Sequence, residues 1–123
     1  MGPRPVLPVM SEQIRIEDDG DSAIVTATGE LDAYLAPRLS AAFEQTERAR
    51  RLVVDLGHVS FLDSTALGIV SKAIRDRAPD RDGSGGVRVV LPRGSARRIF
   101  EITTLDRVLP VATSREDALA QLS

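Results

Sequence analysis

Asp63, Ser64 and Thr65 put a carboxylate and two hydroxyls side by side in the stretch Ser60-Phe61-Leu62-Asp63-Ser64-Thr65-Ala66-Leu67-Gly68-Ile69-Val70. They stand between an apolar pair and an apolar pattern with helical spacing. Residues of these types can do two things there. Aspartate or serine just ahead of a helix accepts first-turn N–H groups that have no partner inside the helix, worth about 1 kcal/mol. The same unpaired groups, with the positive end of the helix dipole, also seat an anion. A phosphate on Ser64 adds about −1.5 to −2 charges, and with Asp63 makes a patch of about three negative charges. A partner surface matched to a neutral hydroxyl rejects such a patch by repulsion and by the cost of desolvating it.

Other chemistry-bearing residues are weighed against plainer roles. Ser64 lacks the Gly-x-Ser-x-Gly elbow of a hydrolytic nucleophile, and His58 is the sole candidate base. Gly29-Glu30-Leu31-Asp32 follows an apolar segment. Its acids can lie near Ser64 if the loops at one end of a sheet gather; alternatively Gly29 makes a turn and Asp32 starts a helix. Gly83-Ser84-Gly85-Gly86 has no following Lys-Ser/Thr and leads into an apolar run, which fits a connector better than a phosphate loop. Arg97-Arg98 and Arg48-Ala49-Arg50-Arg51 read as solvated faces.

The totals narrow the field. A chain of 123 residues suits one compact domain. It has no cysteine, which excludes disulfides and thiolate chemistry, and its single histidine excludes a histidine-rich metal site within one chain. With 16 basic and 18 acidic residues, a net charge of −2 and few aromatics, it lacks the basic stripe of a nucleic-acid binder. No apolar run approaches the roughly 18 residues of a membrane span, and Met1 to Met10 has no apolar core of signal-peptide length, so the expected compartment is the cytoplasm.

The elements that must position Ser64 can be read along the chain. Pro3, Pro5 and Pro8 make residues 1–11 an expected flexible arm ahead of a domain over 12–123. Gln13 to Glu17 and Ala23 to Thr28 form a hairpin about a turn at Asp18 to Asp21. A helix spans about Ala36 to Arg48, with Pro37 in its first turn and Arg48, Arg50 and Arg51 at its end, where positive charge suits the dipole. Leu52 to Leu56 reads as a strand covered on both faces, and Gly57 to Asp63 as a loop. A second helix runs from about Ser64 to Ala78, with Lys72, Arg75, Asp76 and Arg77 on its wet side. Val87 to Leu91 is a strand, and Ser95 caps a helix over about Ala96 to Thr103 with Ile99, Phe100 and Ile102 partly inward. Val108 to Val111 supplies a last strand. A helix from Ser114 to Leu122 begins with a capping pair of Ser114 and Asp117. The predicted class is α/β: a small mixed, mainly parallel sheet opened by a hairpin, with interspersed helices packed on it.

With these residues in place, "GELD" at 29–32, "LVVDL" at 52–56 and "VSFLDSTALGIV" at 59–70 resemble, in order and spacing, a STAS domain, and more narrowly a bacterial anti-sigma factor antagonist. The similarity covers residues 12 to 122. It implies a protein that is no enzyme and has no cofactor. Such a protein binds an anti-sigma factor that is also a serine kinase, and so releases a sigma factor. The kinase uses ATP to phosphorylate Ser64, and a PP2C-type phosphatase removes the mark. By the same resemblance Asp32 and Asp63 are partner-contacting or phosphotransfer-assisting acids, Glu30, Ser64, Thr65 and Leu67 also contact the partner, Thr65 is a minor acceptor, and the protein is a monomer; the composition already points to a cytoplasmic protein without nucleic-acid or membrane contacts. Many members carry glycine where this chain has Ala66, a better helix former by roughly 1 kcal/mol. The other readings are a STAS module without a phosphate switch, as a scaffold or a lipid-transport subunit, and a small hydrolase using Ser64 and His58.

Overall fold

The computed structural model describes residues 13–18, 21–77, 86–102 and 110–122. The β-branched and apolar residues of the hairpin pair antiparallel as β1 (Ile14–Asp18) and β2 (Ser22–Leu31), with Ile14 opposite Ala27 and Asp18 opposite Ala23. The other pairings are parallel: β2 on β3 (Arg51–Leu62), β3 on β4 (Gly86–Val90), and β4 on β5 (Val111–Ala112). Spatial order follows chain order, β1-β2-β3-β4-β5. Helices α1 (Ala36–Gln45), α2 (Ser64–Arg75) and α3 (Ser95–Ile102) lie between successive parallel strands, and α4 (Arg115–Leu122) follows β5. The predicted α/β class, with a mixed, mainly parallel sheet opened by a hairpin, is the observed one.

Strand alternation divides the core into two layers. Ala23, Val25, Ala27, Leu52, Val54, Leu56, Val87 and Val89 face α1, α2 and α3, whose Leu39, Val70 and Phe100 close that layer. Ile24, Val53 and Val90 face the other way and are covered by Ala118 and Leu122 of α4, with Ala112 of β5 beside them. Burial on both faces explains why "LVVDL" has no polar alternation.

Several expectations are corrected. The predicted loop from Gly57 to Asp63 is strand as far as Leu62, because β2 also continues and offers Thr28, Gly29, Glu30 and Leu31 as partners for His58, Val59, Phe61 and Leu62. Gly29 is therefore not a terminal turn but a positive-φ residue (75°) inside β2, next to a register shift. Helix α1 ends at Gln45, where the Thr46 hydroxyl turns back to the Ala42 carbonyl at 3.0 Å. Arg50 and Arg51 thus lie beyond the helix and pair with Asp21, and Arg51 Nε also donates to the Leu122 carbonyl at 2.8 Å.

Helix α2 ends at Arg75, and Arg77 is not a wet-side residue. Its guanidinium donates to the carbonyls of Ala49 (2.7 Å) and Thr46, tying the end of α2 to the end of α1. Burial lowers the Arg77 pKa from its ordinary value, with nearby Glu47 opposing the shift. Ser95 is the first residue of α3 rather than the one before it, and Ile102 is 73% exposed, not partly inward. Ser114 does cap α4, accepting from the Asp117 N–H at 3.1 Å, but Asp117 takes the Thr113 hydroxyl instead of returning the bond. The N-terminal arm, Asp19 and Gly20 of the hairpin turn, and Gly83–Gly85 fall outside the described residues. So do Val108 and Leu109 of the last predicted strand, which is β5 over Val111–Ala112.

On the α4 side, Arg115 gathers three strands. Its Nε and Nη2 reach Asp55 Oδ2 at 3.2 and 3.0 Å, Nη2 reaches the Thr26 hydroxyl at 2.9 Å, and Nη1 reaches Glu17 Oε1 at 3.4 Å. The Asp55 side chain is 12% exposed and that of Arg115 33%, so the pair is screened far less than a surface pair. Arg115→Met is expected to lower the unfolding free energy by about 2 kcal/mol, since it strands a largely buried carboxylate. Lys72→Met, which breaks the exposed Lys72–Asp76 bridge at 2.8 Å, is expected to change it by less than about 0.5 kcal/mol. Urea denaturation of both variants checks the contrast.

Candidate functional site

The site begins where β2 and β3 end. Leu31 and Leu62 are their last paired residues, and both are buried. The Asp63 N–H carries the ladder one step further, donating to the Leu31 carbonyl at 3.1 Å. Asp63 is extended (φ −84°, ψ 175°), and its Oδ1 accepts the Ala66 N–H at 2.9 Å, while its carbonyl accepts the Leu67 N–H at 2.9 Å. It is the N-cap of α2. Ser64 and Thr65 are the first two helical residues, and both are exposed. Their N–H groups belong to the first turn, which helix geometry leaves without acceptors inside the helix. Ala66 is buried in the larger core layer, so the methyl that glycine would lack is packed there.

Glu30 is exposed near the end of β2, paired with Phe61, and Asp32 is exposed just past it. Asp32 Oδ1 accepts the N–H groups of Tyr34 (3.0 Å) and Leu35 (3.3 Å), shaping the turn that leads into α1. The pairing of Leu31 with Leu62 thus brings Glu30, Asp32, Asp63, Ser64 and Thr65 to one end of the sheet. Leu67 is half-buried against the core, one turn into α2. His58 is exposed on β3 opposite Thr28, and among the described residues no hydrogen bond joins it to Ser64.

Two apolar side chains at this end had no reading in the sequence: Tyr34 is 78% exposed and Phe61 46%. Phe61 was hidden by the loop expected over Gly57 to Asp63; once β3 continues through Leu62, alternation sends Phe61 and buried Leu62 to opposite faces. Tyr34 sits in an irregular turn, where no periodicity speaks; the Arg38 guanidinium stands 5.6 Å from its ring centroid.

A separate cleft of about 530 Å³ lies between α1 and the second half of α2, with Phe43, Ile69 and Ala73 among charged neighbours. Among the described residues no group of three or more acids and histidines is placed to hold a metal, and no helix is long and apolar enough to cross a membrane.

Comparison with known proteins bears on this geometry. A family model described as STAS domain matches residues 13–118. The chain belongs to the STAS domain family. This STAS domain is 35% identical over 102 residues to the anti-sigma-B factor antagonist of Listeria monocytogenes, covering 77% of this chain and 82% of that one. Its fold is similar to the crystal structure of an anti-sigma factor antagonist from Mycobacterium paratuberculosis, with a TM-score of 0.74, 31% identity, and coverage of 92% and 95% of the two chains. The Bacillus cell fate determinant SpoIIAA in its phosphorylated form shares the fold at a TM-score of 0.62 and 19% identity, over 89% of this chain and 99% of that one.

The cap geometry of this STAS domain yields a direct expectation. Asp63→Ala should cost about 1 kcal/mol of stability, whereas Asp63→Ser, which keeps an acceptor oxygen, should cost less than about 0.5 kcal/mol. Chemical denaturation of the two variants checks it.

Proposed function

We propose that this chain is an anti-sigma factor antagonist controlled at Ser64. The unphosphorylated form binds an anti-sigma factor with serine kinase activity, and a sigma factor is thereby released. It works by binding and not by catalysis. The names of its relatives support the general role. The observation that carries the switch is the exposed Ser64 side chain at the first position of α2, beside an aspartate that already does the capping.

In this reading the kinase transfers the γ-phosphoryl group of ATP to Ser64 Oγ, which loses its proton as ADP departs. A PP2C-type phosphatase hydrolyses the ester with water. ATP is the partner's substrate, and the STAS domain needs no cofactor. Glu30, Asp32, Asp63 and Leu67 contact the partner, and Thr65 is the neighbouring hydroxyl and a minor acceptor. The protein acts as a cytoplasmic monomer, with no direct contact to nucleic acid or membrane.

The physics of the switch is local. A neutral serine can be buried in an interface at the cost of one hydrogen-bonding group. A phosphoserine next to Asp63, with Glu30 and Asp32 at the same end of the sheet, brings about −1.5 to −2 further charges that must be desolvated and paired. A penalty of about 3 kcal/mol weakens binding roughly a hundredfold.

The test is incubation with the organism's own anti-sigma kinase and ATP, followed by mass spectrometry and titration of binding. The phosphate is expected on Ser64. Ser64→Ala should bind constitutively, and Ser64→Asp should bind at least tenfold more weakly. Tight binding by Ser64→Asp, equal to that of the unmodified protein, would refute the switch.

A further inference from the structure

We infer that Gln13 is a positioning residue for the Ser64 site, holding the end of β2 at the point where its register against β3 shifts; the inference rests on the switch proposed above. Gln13 lies just ahead of β1, far from Ser64 in sequence. Its side-chain Nε2 donates to the carbonyls of Thr28 and Glu30, each at 2.9 Å. Its own carbonyl accepts the Thr28 N–H at 2.9 Å. The primary amide has two N–H donors, so one nitrogen bridges the carbonyls on either side of Gly29.

Gly29 and Gln13 fit as a pair. Gly29 has φ 75°, a conformation that glycine adopts without a Cβ penalty, and a β-carbon there would stand 3.0 Å from Gln13 Nε2. The register of β2 against β3 shifts between Gly29 and Glu30. Immediately after this shift come Glu30, then Leu31, whose carbonyl receives the Asp63 N–H at 3.1 Å, then Asp32. The amide therefore fixes the height of the strand end that carries two of the proposed partner-contacting acids and the backbone acceptor of the α2 cap residue.

The experiment compares Gln13→Leu, Gln13→Glu and Gln13→Lys with the wild-type chain. Leucine removes both donors. Glutamate sets a carboxylate against two carbonyls. Lysine restores donors, since an ammonium group has three. Residue-resolved hydrogen exchange reads the Asp63 amide, urea denaturation reads global stability, and the anti-sigma kinase with ATP reads the rate of Ser64 modification.

The expected result is about tenfold faster Asp63 exchange and slower Ser64 modification in Gln13→Leu and Gln13→Glu, with core amides of β3 little changed. Gln13→Lys should recover most of both. Unchanged Asp63 exchange overturns the inference. So does a uniform loss of protection that lysine does not recover, or altered exchange with a wild-type modification rate. If the kinase leaves wild-type Ser64 unmodified, the switch reading fails by itself, and the inference falls with it as far as function is concerned; Asp63 exchange and its recovery by lysine still decide separately whether Gln13 holds the strand end.

Discussion

The pairing of β2 with β3 is the constraint on which the rest of this protein depends. β4 meets β3 only as far as Asp55 opposite Val90, so beyond that point β2 is the strand that β3 pairs with among the described residues. The ladder ends with the bond from the Asp63 N–H to the Leu31 carbonyl, and that bond sets where α2 begins. A parallel pair that stayed in strict register from Thr26 and Asp55 would set Leu31 opposite Ser60 and deliver a different residue to this corner.

The pair is not in strict register. It shifts between Thr26 and Thr28 and again between Gly29 and Glu30, and β3 carries two more residues than β2 between Asp55 and Leu62. Each irregularity is held by a polar side chain. At the first, Asp55 Oδ1 accepts the Gly57 N–H at 3.0 Å while Arg115 holds Oδ2, which ties the bulge to α4 on the far face. At the second, the Gln13 amide spans Gly29. Irregularity in a sheet leaves backbone groups that must find other partners, and these side chains supply them.

In the first turn of α2, capping and the proposed modification do not compete for the same residue. Capping falls to Asp63, whose carboxylate takes the Ala66 N–H. Ser64, one position later, keeps an exposed side chain. Had serine been the cap, its oxygen would be engaged with the backbone and a poorer phosphate acceptor. Glu30, Asp32, Asp63 and the exposed rings of Tyr34 and Phe61 lie at the same end of the sheet as this hydroxyl. On the proposed function, such a surface would suit burial while the serine is neutral and would lose that fit once the same spot carried a phosphate.

Much of this was legible in the sequence because its signals are local. The Asp63 cap, Pro37 in the first turn of α1, the Ser114 cap and the two-faced burial of Leu52–Leu56 each depend on a few neighbouring residues and on helix or strand periodicity, which any chain must obey. What only the tertiary structure decided involves partners distant in sequence. Gly57 to Leu62 became strand because Thr28 to Leu31 lay alongside, Arg77 became a bridge because the carbonyls of Thr46 and Ala49 came within reach, and Ile102 stayed outside. Gln13 found its role across fifteen residues at Thr28. A residue's own neighbours encode propensity and caps; register, and which apolar side chains are left uncovered, follow from how distant segments share the same hydrogen bonds and the same buried surface.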